Sequence, residues 1–361
     1  MTRKHFEHYQ GQTQVKHLIL TDYFRAWVQI LGRYYRHLLY WDGFCGTGTY
    51  YDDDGTPRDG SAVAALKIAD EFAQRASVFC AFTDAEPAFC NELEKRLADL
   101  APRSRYIVES AEFDEYFDRV IAAARTVDAA FVFVDPCGWK GYPITSIERV
   151  MELPRSEVLI NFMFNAINEW LTAPRTDDSF KALYGMGDAE LAAFRESLAN
   201  LPPRAREQAI LDRYVVELRD RARYVYPFKV RFPGKDRTYF YLIHATNSFK
   251  GIQVMKDIMF KAADRSLEYA ALGKSDSQLA LFDDEPTHAD LAEYLLEELA
   301  GETESFRRVM ERTYQDTPFR ETDYRTVLKK LEKDGVTTVE RISSKTKRGL
   351  KDRDRITFPR R

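Results

Sequence analysis

Leu38-Leu39-Tyr40-Trp41-Asp42-Gly43-Phe44-Cys45-Gly46-Thr47-Gly48-Thr49 is the stretch from which the fold of this 361-residue chain follows. It opens as an apolar run of strand length and closes on an acid and a glycine-rich turn. Gly43, Gly46 and Gly48 admit positive φ and let the backbone come closer to a ligand than any side chain would allow. Their order, G-x-x-G-x-G, is not the G-x-G-x-x-G fingerprint of dinucleotide-binding sites.

Upstream, Gln12–Trp27 predicts a helix with Val15, Leu18, Ile19, Phe24 and Trp27 on one apolar face. Downstream, the helix expected after the turn is delayed by Tyr50–Gly60, which carries Asp52-Asp53-Asp54. Three carboxylates suit a hard cation, but a solvated acidic loop is the commoner outcome, and no metal site is assigned. Ser61 is the expected N-cap of a helix over Ala62–Arg75. Strands follow at Val78–Thr83, ending on Asp84, and at Arg105–Glu109, with a helix at Ala88–Ala98 between them. Asp128–Val134 has the unbroken apolar character of a buried parallel strand and runs into Asp135-Pro136-Cys137-Gly138-Trp139. Glu157–Phe164 is a fifth strand, and Val225–Val230 with Tyr239–Ala245, around Pro233-Gly234-Lys235, reads as a hairpin. Five β/α units finished by a hairpin give a seven-stranded α/β sheet, with Leu171–Arg223 as a helical insertion over the strand ends.

The glycine loop resembles the first motif of S-adenosylmethionine (SAM)-dependent methyltransferases, in the D-P-F-x-G-[ST]-G-T form of DNA amino-methyltransferases, with Gly43 in place of the proline. The resemblance implies a class I, Rossmann-like methyltransferase sheet, with SAM resting on Asp42, Gly43, Phe44, Gly46 and Gly48. It implies Asp84, or failing that Glu86, as acceptor for the ribose hydroxyls, since a carboxylate only accepts and a diol donates. Phe113 would stack on the adenine or else be a core aromatic. Lys16 would meet the carboxylate end of SAM or else be a solvated lysine, and His17 beside it a satisfied histidine. At the fourth strand end, methyltransferases acting on exocyclic amines carry D/N-P-P-Y/F. Asp135 and Pro136 match, Cys137 replaces the second proline, and the aromatic is displaced to Trp139. Asp135 would then hold the amine, Pro136 shape the backbone, and Trp139 stack on the base. Pro136-Cys137 also resembles the site where cytosine-C5 methyltransferases keep their thiolate nucleophile, with Cys45 nearby across neighbouring strands.

The combination of Gln12–Leu20, Asp42–Gly48, Gly60-Ser61, Val134–Gly138 and Ser156–Met163 resembles the three-Cys-motif partner (TcmP) family over at least the first 170 residues. That resemblance implies a methyltransferase-like protein working beside a radical-SAM-like protein with three clustered cysteines. The family usually has alanine at the position of Cys45 and phenylalanine at that of Cys137.

Charge divides the chain further. Thr303–Arg361 holds 17 Lys and Arg against 10 Asp and Glu, leaving 36 against 47 in the remainder. Ser275–Glu304 holds ten acids and no Lys or Arg. The expected organisation is a methyltransferase domain over 1–270, with its insertion at 171–223, an acidic linker over 271–302 and a basic domain over 303–361. Helices at Glu304–Tyr314 and Arg320–Lys333, then a basic hairpin, are the order of a winged helix. Arg325, Lys329, Lys330 and Lys333 on the second helix, and Lys345, Lys347, Arg348 and Lys351 at the wing, are candidate phosphate contacts for DNA or RNA. Protein contact is the alternative use of such a domain. Gln278-Leu279-Ala280-Leu281-Phe282 resembles the peptide by which bacterial replication proteins dock on the sliding clamp, or else pins the linker to the main domain. The amino terminus has no signal-peptide pattern, no run is long enough to span a membrane, and the four cysteines lack metal spacing, so a reduced cytoplasm is expected. Three functions remain open: SAM-dependent methylation of a nucleic acid, first at an exocyclic amine; a non-catalytic nucleic-acid-binding partner of the three-Cys protein; and cytosine-C5 methylation through Cys137.

Overall fold

The computed structural model describes residues 11–52, 54–102, 105–231, 237–271, 287–342 and 349–360, with side chains at 11, 12 and 264–271 left aside. The chain forms two compact units, Met1–Ala280 and Leu281–Arg361. No helix among the described residues is long and apolar enough to cross a membrane.

The first unit begins with α1 (Gly11–Leu31), β1 (His37–Asp42), a hairpin of β2 (Thr49–Tyr51) and β3 (Pro57–Asp59), and α2 (Ser61–Glu71). Then come β4 (Ser77–Asp84), α3 (Pro87–Ala98), β5 (Tyr106–Ser110), α4 (Phe113–Ala124), β6 (Ala129–Val134), α5 (Ile144–Met151) and β7 (Glu157–Phe162). The insertion contributes α6 (Phe164–Trp170), α7 (Asp177–Tyr184), α8 (Asp188–Leu198) and α9 (Pro203–Arg219), before β8 (Tyr224–Arg231), β9 (Thr238–Thr246) and α10 (Phe249–Ala271). Seven strands lie in the order β5-β4-β1-β6-β7-β9-β8. β5, β4, β1, β6 and β7 are parallel, and β9 runs antiparallel to both neighbours. This is the Rossmann-like sheet of class I SAM methyltransferases, in which ligands bind where strand order reverses at the carboxyl ends of the central strands.

β6 is buried along its whole length, and so is β7, as strands covered on both faces must be. On one face Phe24, Tyr40 and Phe131 pack together in an aromatic layer. Full burial of each such ring contributes about 1.5–3 kcal/mol. At the start of β7, the buried Glu157 carboxylate accepts from Tyr23 of α1 and lies 2.9 Å from His244 Nε2 of β9. Gly251 of α10 makes room for it, because a Cβ there would stand 2.9 Å from Glu157 Oε2.

Two sequence expectations change here. The segment Tyr50–Gly60 is not an open acidic loop. β2 and β3 pair antiparallel across it, Asp52 binds Arg58, and Asp54 Oδ1 accepts from the Thr56 amide; Asp53 lies outside the described residues. Its two ends meet where Gly60 N donates to Gly48 O at 2.8 Å. A Cβ on Gly60 would stand 2.9 Å from the Gly48 backbone, so the N-cap position before α2 belongs to Gly60, and Ser61 starts the helix.

The second unit comprises α11 (His288–Glu298), β10 (Thr303–Ser305), α12 (Phe306–Thr313), α13 (Glu321–Lys333), β11 (Thr338–Glu340) and β12 (Arg355–Thr357). Its sheet has the order β10-β12-β11, so the wing has a third strand. α11 corrects the predicted linker boundary. Its acids sit on an amphipathic helix that buries Leu291 and Leu295, begun by a capping box between Thr287 and Asp290. The acidic run therefore extends into a folded winged-helix unit.

Candidate functional site

The loop after β1 is held by its neighbours' backbone. Gly43 N donates to Phe133 O at 3.0 Å, and Cys45 N donates to Thr83 O at 2.9 Å. Gly46 and Gly48 take φ of +56° and +73°, and a Cβ on Gly46 would meet nothing within 4 Å, so that face of the loop is open. Gly43 is demanded by packing, since its Cβ would stand 2.3 Å from Phe113. Phe113 is fully buried, stacked on Trp41 at 4.4 Å and on Phe44 at 5.7 Å between ring centroids. Both its faces are covered, so Phe113 is a core aromatic in place of the expected adenine platform. Phe44 is half-buried beside it.

Three carboxylates gather at the strand ends. Asp42 is fully buried; its Oδ1 accepts from Phe44 N at 3.2 Å, and the Ser61 hydroxyl is the other donor beside its carboxylate. Burial pushes its carboxyl up to about 7, opposed by the nearby Ser61 hydroxyl and helped by the charges of Asp135 and Asp84. Asp84 braces the loop: Oδ2 accepts from Gly46 N at 2.9 Å and Oδ1 from Glu86 N at 3.0 Å. Burial raises its carboxyl too, against those two hydrogen bonds. Glu86 is exposed at the N-cap position of α3.

Asp135 is already engaged. Lys16 Nζ lies 2.5 Å from Oδ2, and Asn161 Nδ2 donates to Oδ1 at 2.6 Å. The Lys16 ammonium, on a buried side chain, also faces the Phe240 ring at 6.0 Å. Two expectations are thereby revised: Lys16 is neither a solvated lysine nor free for an anion, and Asp135 is not a bare amine acceptor. Asn161 was not anticipated. Its one legible signal is an amide after the apolar run Val158-Leu159-Ile160, and its Oδ1 is buried with no partner among the described residues. His17 stands beside this group, edge-on to Tyr50 at 4.9 Å, and burial holds its imidazole down at about 3, hence neutral.

Pro136 is buried and Cys137 exposed. The Cys137 sulfur is nevertheless turned toward desolvating surroundings and Asp135, which push the thiol up to about 12. Cys45 does not pair with it. Cys45 is buried beside Cys90 of α3, whose thiol donates to Asp84 O at 3.5 Å and Glu109 O at 3.4 Å, because α3 follows the neighbouring strand β4. Trp139 stacks on Phe180 at 5.3 Å and on Trp170 at 6.1 Å. Its displacement from the motif position is thus explained by packing into the insertion, where one ring face is lost to any base.

In the second unit, Lys329, Lys330, Lys333 and Lys351 are exposed. Arg325 is not: it pairs with Glu321, donates to Leu350 O and covers the Phe306 ring at 4.4 Å, which makes it a clamp between α13 and the wing. Lys345, Lys347, Arg348 and the Gln278–Phe282 peptide lie outside the described residues.

Residues 270–341 match the sequence profile of the GMT-like wHTH domain family. No curated protein matches the chain in sequence. Among solved structures, a conserved hypothetical protein of Streptococcus pyogenes is 15% identical, covering 38% of this chain and 75% of its own, at a TM-score of 0.25. The O-methyltransferase TomG of Streptomyces achromogenes, solved in complex with SAM, is 13% identical over 63% of this chain and 79% of its own, at a TM-score of 0.33. The DszA carbon methyltransferase is 14% identical over 60% and 48%, at a TM-score of 0.32. Strand order, not these overlays, identifies the fold.

Proposed function

We propose that this methyltransferase-like protein binds SAM at the carboxyl ends of β1 and β4 and transfers its methyl group to a nucleic acid. The observation that carries the proposal is Asp42, a fully buried carboxylate with two neutral donors and no cation against it, beside an open glycine loop. A buried carboxylate held this way is costly to ionise until a cation meets it. SAM would supply an electrophilic methyl on a sulfonium, together with an ammonium, and three clustered carboxylates suit those cations. Asp42, Gly46 and the residual lone pairs of Asp84 would hold it. For the acceptor, an exocyclic amine finds its hydrogen-bond acceptor in Asn161 Oδ1, with Lys16 and Asp135 fixing the amide that carries it. Sulfonium methyl transfer needs mainly alignment of nucleophile and methyl. The exposed lysines of α13 and the wing would contact phosphates. A three-Cys protein as working partner rests on the sequence resemblance.

The second reading, a non-catalytic partner built on the same fold, is favoured by one observation: Lys16 and Trp139 already occupy the strand end with internal contacts. Calorimetry with SAM on the full chain separates the two. Micromolar binding is expected, and a flat titration to millimolar SAM moves the assignment to the scaffold.

Cytosine-C5 chemistry is disfavoured by the raised Cys137 thiol, because the thiolate is the nucleophile. Cys137→Ser is expected to keep methyl transfer within about threefold, where loss of a covalent nucleophile would cost 10³-fold or more. Tritium transfer from labelled SAM to bulk nucleic acid is the measurement.

A further inference from the structure

The edge of the first unit formed by the amino ends of β1, β6 and β7, away from the cofactor loop, carries an unusual surface. Between α1 and β1 the chain turns through Gly32-Arg33-Tyr34-Tyr35-Arg36-His37, and Tyr34 is 76% exposed there. Arg36 Nη1 donates to Arg75 O at 3.3 Å, and a Cβ on Gly32 would stand 3.2 Å from Arg75 Cγ, so Arg75 lies against the turn. From the start of β7, Arg155 lays its guanidinium on the Tyr35 ring at 4.5 Å and donates to Asp128 O at 2.7 Å. It does so from a φ of +54°, the one positive φ outside glycine among the described residues. That conformation costs an arginine about 1–2 kcal/mol, and strain of this kind concentrates where a side chain has to be presented.

The charge is the second observation. Arg33, Arg36, Arg75 and Arg155 are exposed and make no ion pair among the described residues, whereas Arg25, Arg96, Arg105 and Arg195 of the same unit each hold a carboxylate. Asp128 accepts at Oδ2 from the backbone amides of Arg36 and His37, at 3.1 and 3.0 Å, and these bonds with the Arg155 charge keep its carboxyl below the usual range. Four guanidinium groups facing one carboxylate, Asp128, thus lie on the segments that meet at the turn presenting Tyr34, on a chain whose residues outside 303–361 hold 36 basic against 47 acidic side chains. Self-repulsion of this kind is relieved by a polyanion.

We propose that this edge is a docking site for single-stranded nucleic acid, with phosphates on Arg33, Arg36, Arg75 and Arg155 and a base stacked on Tyr34. An exposed aromatic among cations is the pattern that binds unpaired strands without sequence preference, each stacked base contributing about 1–3 kcal/mol. β1 separates the site from the cofactor loop by its six residues, roughly 20 Å at 3.3 Å per residue. The docked strand is therefore a flanking segment, not the methylated nucleotide, and the site stands whether or not SAM binds.

The test is fluorescence anisotropy of the full chain with a labelled single-stranded oligonucleotide, without SAM, in a Lys329→Glu/Lys330→Glu background that weakens the winged helix. Tyr34→Ala is expected to weaken binding about 5- to 100-fold and Tyr34→Phe to leave it unchanged. Arg33→Glu is expected to weaken binding and to lower the slope of log affinity against log salt by about 0.7. Arg33 and Tyr34 support nothing buried, so both variants fold. The proposal is overturned if Tyr34→Ala binds like its parent, or if polyglutamate of equal charge competes as well as the oligonucleotide, which would make the edge a site for an acidic protein.

Discussion

Asp135→Ala is expected to lower the stability of the first unit by about 3–5 kcal/mol, because it strands the Lys16 ammonium in a buried position without a counter-charge. Lys16 and Asp135 have side chains only 11% and 10% exposed, with Nζ and Oδ2 2.5 Å apart. Their attraction acts with little water between them, and neither finds a substitute when the other is removed. For a unit of this size the loss corresponds to a fall of roughly 10 °C in Tm. Lys16→Met should cost less, because Asp135 keeps the Asn161 amide as a donor. The double variant Lys16→Met/Asp135→Ala should recover much of the loss, as buried pairs replaced together often do. Thermal unfolding of the four proteins closes the cycle. If the double variant is as unstable as the sum of the singles, the two groups are not coupled and the strand end is freer than described. The pair also accounts for the departure from the amine motif: the fourth strand end is fixed by an internal cation, and the proposed amine acceptor, Asn161, stands one strand over.

That shift marks the boundary of what the sequence discloses. A strand such as Ala129–Val134 is legible because full burial leaves an unbroken apolar run, and Gly46 and Gly48 because positive φ restricts the residue type. The loop's acid, Asp42, is legible for the same local reason. Contacts between distant segments are not. Lys16 and Asp135 are 119 residues apart, and nothing in the neighbourhood of either discloses the other. Phe113 was open between ligand platform and core, and only the missing Cβ of Gly43 shows which surface it packs on. Arg325 looks outward on a helical wheel, yet a long stem lets its guanidinium reach back to Leu350 O and the Phe306 face. α11 was hidden because its acids dominate the composition while two leucines, Leu291 and Leu295, suffice to seat it.

Between pH 4 and pH 7 Asp42 should take stability from the protein without SAM as pH rises, against the opposite slope of His17, whose imidazole stays neutral down to about 3, and the wild-type curve minus that of Asp42→Asn isolates the share of Asp42. Its carboxyl titrates near 3.8 in the unfolded chain and about 7 in the folded one, so within that window the folded state holds a proton that the unfolded state has lost. The unfolded state is then favoured by up to about 4 kcal/mol at neutral pH, and the cost is constant above pH 7. Asp135 and Asp84 press the carboxyl further toward the neutral form, and the Ser61 hydroxyl and the Phe44 amide restrain it only in part. A bound cation reverses the balance. If SAM places positive charge against Oδ2, Asp42 ionises on binding, and the protein releases about 0.9 proton at pH 6 but only about 0.1 at pH 8. Affinity should accordingly rise about tenfold per pH unit up to pH 7 and then level. Calorimetry in two buffers of different ionisation enthalpy measures the released proton directly. Asp42→Asn should abolish this component, leave the rising slope of His17 over the same window, stabilise the SAM-free protein at pH 8 and weaken SAM binding about 10- to 100-fold, a loss of about 1.4–2.8 kcal/mol. A wild-type protein that binds SAM with no proton release at pH 6 would show that the ligand's charge lies away from Asp42, and the loop would then hold SAM by its backbone alone.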